Sequence, residues 1–155
     1  MSGTSTTPDL TGGATRDITF AWSLGLGVGL IVLGLLGFVS NPIVGAPSAA
    51  WGVPLFVTGS AHDVLHLMAG AVLMYGALGL IGARRANLLI GAGVAWLAVF
   101  LLCLLSGNLF GLLAYPVNVL DQLLHLVIGV VSVGVGYLAR TGALTARTLP
   151  KAPEP

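Results

Sequence analysis

Residues 86–106 read ANLLIGAGVAWLAVFLLCLLS, a stretch that contains no charged side chain. A helix needs roughly 20 apolar residues to cross the hydrocarbon core of a bilayer, so this stretch predicts a transmembrane helix. Three other stretches have a similar length and apolar character, at residues 18–39, 61–82 and 116–139. The sequence therefore predicts an all-α membrane protein with four transmembrane helices.

The composition of the whole chain agrees with a location in the bilayer. Of the 155 residues, 56% are hydrophobic and only 7% are charged, whereas a soluble domain has about a quarter of its residues charged. The net charge of +1 comes from dispersed basic residues, which excludes a nucleic-acid-binding protein because that class needs clustered Lys and Arg. A single cysteine, Cys103, excludes both a disulfide framework and a cysteine-based metal site.

The basic residues predict the orientation of the helices. The loops at residues 40–60 and 107–115 contain no Lys or Arg, and all basic residues lie at the other ends of the predicted helices. Because cytoplasmic loops carry the excess of Lys and Arg, we expect a multi-pass protein of the cell membrane with both termini cytoplasmic. The residues that carry this prediction are Arg16, Arg84, Arg85, Arg140, Arg147 and Lys151.

Both ends of the chain differ from the apolar stretches. Residues 1–17 are rich in Ser, Thr, Gly and Pro, and residues 140–155 end in the sequence TLPKAPEP. Such segments bury too little apolar surface to offset the entropy lost on ordering. We therefore expect two disordered tails flanking a transmembrane domain at residues 18–139.

A short motif recurs in the second and fourth stretches. The sequence LHLMAG begins at Leu65, and LHLVIG begins 59 residues later at Leu124. Each copy follows an acidic residue, Asp63 or Asp121. The recurrence predicts two halves of two helices each, which have the same orientation and are related by an axis along the membrane normal, as in parallel repeats.

The same motifs carry most of the ionisable residues in the predicted helices. Ionisable side chains within a membrane helix are costly, so they usually face the interior of the bundle and find partners there. We therefore predict a buried cluster in which the two aspartates orient the histidines, either within one helix or between helices. Its members are His62, Asp63, His66, Asp121 and His125, and Gly70 and Gly129 lie one turn further along, where they allow close helix packing or leave room for a ligand.

An acidic residue followed by Leu-His-Leu-x-x-Gly in the second and fourth of four short helices, together with the run GLLGF at residues 34–38, resembles a family of small bacterial and archaeal membrane proteins. That family is classified as a domain of unknown function, with the number four-three-eight-three. The resemblance covers roughly residues 18–139 and implies four helices and no established activity. The family typically has two asparagines around the acid of the fourth helix. Asn118 supplies the first, but Gln122 stands in place of the second.

The favoured functional interpretation is structural. Hydrogen bonds between membrane helices average about 0.6 kcal/mol, which is enough to fix the pairing of helices without chemistry. The chain would then be a scaffold or an accessory subunit within the lipid bilayer, in a homo-oligomer or a larger membrane complex. This interpretation requires no cofactor and no catalytic residue, and no motif of a known enzyme class is present.

Two alternatives give the histidines a chemical role. His66 and His125 are candidate axial ligands of a haem, or His62, His66, Asp121 and His125 are candidate ligands of zinc or copper through nitrogen and oxygen atoms. In the second alternative, the aspartates and histidines form a proton relay in a small transporter. The inner half of the predicted helices carries no charged residue that would complete a path across the bilayer.

Overall fold

The structure is a computed structural model that describes residues 12–143, with side chains from residue 18 onward. Residues 1–11 and 144–155, which make up most of the two predicted tails, lie outside the described residues. The described chain is mostly helical. Its elements are α1 (Gly12–Gly37), β1 (Val44–Gly45), β2 (Phe56–Val57), α2 (Ser60–Gly79), α3 (Gly82–Leu105), a 3-10 turn (Leu109–Gly111) and α4 (Val119–Arg140).

All four helices are long and apolar enough to cross a membrane. The segments that meet this condition are Ile18–Gly37, Ser60–Gly79, Gly82–Leu105 and Val119–Arg140. Large apolar side chains such as Leu104 and Val119 lie exposed on the outside of the bundle, where a soluble protein would place charges. The prediction of a helical chain with four such helices is confirmed.

The helix ends differ by a few residues from the predicted ones. The backbone of α1 begins at Gly12, so residues 12–17 are helical where the sequence predicted a disordered tail; no proline interrupts this segment. The second helix ends at Gly79 because Leu80 and Ile81 are extended. The fourth begins only at Val119, because Asn118 takes the capping position.

The helices pack in two pairs, α1 with α2 and α3 with α4. In the first pair, a Cβ atom at Gly70 would lie 2.8 Å from the Gly27 carbonyl oxygen. In the second pair, a Cβ atom at Gly129 would lie 2.7 Å from Cγ of Leu97 and 3.1 Å from the Gly93 carbonyl oxygen. Gly70 and Gly129 therefore allow the backbones of paired helices to approach closely.

The two pairs share one apolar core. Leu30 of α1, Leu73 of α2, Leu89 and Trp96 of α3, and Ile128 of α4 form a single buried cluster. A polar contact also joins the pairs, since Trp22 Nε1 of α1 donates a hydrogen bond of 2.9 Å to Ser132 Oγ of α4.

Arg85 closes the turn between α2 and α3. Its Nε donates to the Gly76 carbonyl oxygen at 3.0 Å, and its Nη2 donates to the carbonyl oxygens of Ala77, at 2.8 Å, and Leu80. These carbonyl groups belong to the end of α2, where the helix itself leaves acceptors without donors. The guanidinium also lies 5.4 Å from the ring centroid of Phe20 in α1, so one buried side chain ties together three helices.

At the opposite end of the bundle, Asn118 connects the first loop to α4. Its Oδ1 accepts a hydrogen bond from the Asp121 backbone N–H at 3.0 Å, and its Nδ2 donates to the Leu55 carbonyl oxygen at 2.7 Å. Leu55 directly precedes β2, which pairs in parallel with β1, and α2 begins shortly after β2. The first turns of α2 and α4 are thereby held at the same end of the bundle.

We expect Arg85→Ala to lower the free energy of unfolding by about 3 kcal/mol, because it leaves several buried carbonyl groups without a donor. Thermal unfolding of the detergent-solubilised protein measures the loss. Arg84→Ala is the matched control, since the neighbouring Arg84 is exposed and its removal should change little. Equal effects of the two substitutions would contradict the role assigned to Arg85.

Candidate metal centre

The first turns of α2 and α4 each present two ionisable side chains four residues apart. His62 and His66 lie on one face of α2, and Asp121 and His125 lie on one face of α4, because residues at this spacing are neighbours on a helix surface. All four side chains are buried, with exposed fractions between 0 and 5%. The two faces point toward each other across the bundle.

Asp121 lies between two of the histidines. Its Oδ2 is 3.5 Å from His62 Nε2 on α2, and its Oδ1 is 3.8 Å from His125 Nε2 on its own helix. The sequence left open whether hydrogen-bonded pairing occurs within or between helices; in the structure Asp121 lies close to one histidine of each helix and makes a hydrogen bond to neither. Both distances exceed the 2.7–2.9 Å of a charge-assisted hydrogen bond.

His66 completes a group of four candidate ligands. Its ring centroid lies 4.5 Å from that of His62 and 6.5 Å from that of His125. One ligand atom from each of His62, His66, Asp121 and His125 can be chosen so that all four lie within 4.8 Å of one another. Among the described residues, these four form the group of histidine and acidic side chains close enough to hold one metal ion.

Several polar atoms of this group have no hydrogen-bond partner among the described residues. They are both ring nitrogens of His66 and of His125 and both carboxylate oxygens of Asp121. Buried polar atoms in proteins are normally paired, and an unpaired set calls for an ion, a ligand or water. The donor types here, imidazole nitrogen and carboxylate oxygen, are those that bind divalent transition metals.

Asp63 has a different environment from the other predicted members of the cluster. It is buried on α2, but its carboxylate fills the space beside Gly37 at the end of α1. One turn away, a Cβ atom at Gly34 would lie 2.7 Å from the Asp63 carbonyl oxygen. The two glycines of the GLLGF run therefore leave space on α1 for the backbone and the side chain of Asp63. Asp63 does not belong to the group of four candidate ligands.

Trp96 of α3 is a further residue of the site that the sequence did not indicate. Its indole stacks on the His125 ring at a centroid distance of 5.0 Å and an interplanar angle of 24°, and it lies 6.1 Å from the His66 ring. Its position in a uniformly apolar part of α3 carries no signal that would distinguish it from an ordinary core residue. Trp96 limits how far the two imidazoles can rotate.

Beside the four ligands, a cavity of about 300 Å³ lies between α2 and α3. His62, His66, His125 and Trp96 line one end of it, and the remaining walls are apolar. The predicted clearance glycines, Gly70 and Gly129, do not line this cavity. They contact α1 and α3, respectively, as described for the helix pairs.

No family model, curated protein or solved structure matches this chain. The resemblance to a family of unknown function therefore stays a prediction, and the function is inferred from the geometry of the site.

We expect Gly37→Ala to destabilise the protein by about 1–3 kcal/mol, because the new Cβ atom collides with the Asp63 carboxylate. Gly91→Ala, within α3, is the control, since a Cβ atom there meets nothing within 4 Å. The double variant Gly37→Ala/Asp63→Ala should lose less than the sum of the single variants when unfolding is followed in detergent. Strict additivity would mean that the two residues do not touch.

Proposed function

We propose that this chain is a multi-pass membrane protein that binds one divalent transition-metal ion through His62, His66, Asp121 and His125. The observation that carries the proposal is the convergence of four buried ligand atoms within 4.8 Å of one another. In a tetrahedral zinc site, metal–ligand distances of about 2.0–2.2 Å separate the ligand atoms by roughly 3.3–3.6 Å, so small side-chain movements would bring these atoms to an ion.

A structural role for the ion is favoured by the number of ligands. Four protein ligands form a closed shell, as in structural zinc sites, whereas catalytic zinc sites keep one position open. The ligands come from α2 and α4, which belong to different helix pairs. An ion bound between them would cross-link the two pairs, which agrees with a scaffold or accessory subunit better than with an enzyme.

The arrangement of the rings favours a single ion over a haem. The His62 ring lies 4.5 Å from His66 and 5.9 Å from His125, beside the line that joins those two rings. A haem with His66 and His125 as axial ligands would place its macrocycle across this line. The His62 ring stands in the area that the macrocycle would occupy.

We further propose that the two helix pairs are duplicated units. Gly27 approaches the Gly70 carbonyl oxygen and the Met74 N–H, and Gly93 approaches the Gly129 carbonyl oxygen and the Val133 N–H. These equivalent contacts support a shift of 59 residues between α2 and α4. Under that shift, His62 corresponds to Asp121 and His66 corresponds to His125, so the four ligands would surround a pseudo-two-fold axis.

The proposed location is the cell membrane, with both chain termini in the cytoplasm. Arg84 and Arg85 lie in the first turn of α3, and Arg140 ends α4, at the end of the bundle remote from the four ligands. The positive-inside bias would then place the metal centre near the outer face of the membrane.

We propose that the chain, as such a scaffold, assembles with a second copy of itself or within a larger membrane complex. Ala21, Gly25 and Gly29 lie exposed along one side of α1, and a Cβ atom at Gly25 or Gly29 would meet nothing within 4 Å. Small residues at this spacing permit the close approach of another membrane helix.

The protein is purified in mild detergent, and a chelator is used to remove any bound metal and is then itself removed. We expect the metal-free protein to bind about one Zn²⁺ per chain and to melt at a higher temperature with Zn²⁺ than without it. His66→Ala and Asp121→Asn should each weaken Zn²⁺ binding by more than about 100-fold. Asp63→Asn is the matched control, because this acid lies against Gly37, and it should leave Zn²⁺ binding unchanged. Titration calorimetry measures the Zn²⁺ affinity, and metal analysis measures the number of ions per chain.

Acidification should release the ion, because protons compete with the metal for the imidazole nitrogens. A visible haem spectrum in the purified protein, or unchanged melting in the presence of Zn²⁺, Cu²⁺ and Co²⁺ alike, would refute the proposed metal centre.

A further inference from the structure

The cavity between α2 and α3 opens sideways, toward the outside of the bundle. Met68 and Val72 of α2 and Ala95 of α3 line it and are themselves exposed. All three lie well within helices that are apolar enough to cross a membrane. A molecule that reaches this opening would therefore arrive from the hydrocarbon region rather than from water.

At the closed end of the cavity, the only polar side chains that line the wall are histidines and the indole of Trp96. His62, His66 and His125 contribute imidazole groups there, while the other lining residues are apolar or, in the case of Trp96, aromatic. Both ring nitrogens of His66 lack a hydrogen-bond partner among the described residues, and this side chain is 3% exposed. Because an imidazole that binds a metal ion uses one nitrogen, its second nitrogen carries a proton and needs an acceptor.

From the lateral opening, the apolar walls and the unpaired imidazole, we infer that the cavity binds a bilayer-soluble ring compound with a carbonyl oxygen, of the chemical class of quinones. The ring lies between α2 and α3 near Trp96, and the carbonyl oxygen accepts a hydrogen bond from His66. A cavity of about 300 Å³ is at the small end of the range of ligand sites, so it takes a headgroup and leaves any long tail in the lipid.

A neutral carbonyl group fits this site better than the carboxylate of a fatty acid. Without an ion, the Asp121 carboxylate already lies within 4 Å of His62 and His125, and a second carboxylate would need a counter-charge that the apolar walls do not supply. With an ion held by four protein ligands, no coordination position is left for a second carboxylate. The inference goes beyond the proposed metal centre and does not depend on it, because His66 needs an acceptor with or without an ion.

The test uses 2,3-dimethyl-1,4-naphthoquinone and, as a probe with the same carbon skeleton but no oxygen atoms, 2,3-dimethylnaphthalene. The full chain in detergent should bind the quinone at least about tenfold more tightly than the hydrocarbon, since only the quinone accepts a hydrogen bond. His66→Leu should abolish this preference. Equal affinities in the unmodified protein, or preferential binding of palmitate at the same site, would overturn the inference.

A substitution at the opening of the cavity tests the inference without changing a histidine. Ala95→Leu narrows the opening and should weaken quinone binding at least about tenfold, whereas Ala98→Leu, on the same helix but not lining the cavity, should leave it unchanged. Identical quinone binding by these two variants would overturn the inference.

Each titration is run with a chelator and again with Zn²⁺. Zn²⁺ binding without quinone binding refutes the inference and leaves the metal centre standing. Quinone binding by a protein that takes up no metal supports the inference and refutes the metal centre.

Discussion

The burial of one carboxylate among three imidazoles is the constraint on which the site depends. Asp121 has no exposed surface, and the described residues around it offer two histidine nitrogens at 3.5 and 3.8 Å. A carboxylate in a low-dielectric interior is stable only with close compensation, from hydrogen bonds, a cation or a proton. A divalent ion would compensate Asp121 and pair the buried nitrogen atoms of the histidines at the same time.

This constraint requires that α2 and α4 meet at one end of the bundle, although they belong to different helix pairs. Glycine contacts fix the distances within each pair, through Gly70 in the first and Gly129 in the second. Asn118 then ties the beginning of α4 to the loop that precedes α2. Arg85 closes the opposite end of α2. The ligands therefore stand on helices whose positions are set by contacts outside the site.

The four helices and the candidate ligands were predictable because each leaves a local signal. Length and hydropathy mark the helices, and ionisable residues within apolar stretches stand out because they are costly there. Trp96 left no such signal, because an aromatic residue in an apolar helix is usually part of the core. The contact between Asp63 and Gly37 was equally unpredictable from the sequence. The space beside Gly37 depends on how α1 packs on α2 and not on the spacing of residues along either helix.

The different positions of the two aspartates follow from a difference of one residue in spacing. Asp63 precedes His66 by three residues, whereas Asp121 precedes His125 by four. One residue turns a side chain by about 100° around the helix axis. Asp121 therefore shares the face of His125 and points into the bundle, while Asp63 is turned toward α1.

In the proposed duplication, the position equivalent to Asp121 is occupied by His62, so the departure from symmetry supplies a third nitrogen ligand beside one oxygen ligand. Two aspartates on the axis would repel each other in the absence of an ion, whereas three histidines and one aspartate leave a single carboxylate among the four ligands to be compensated.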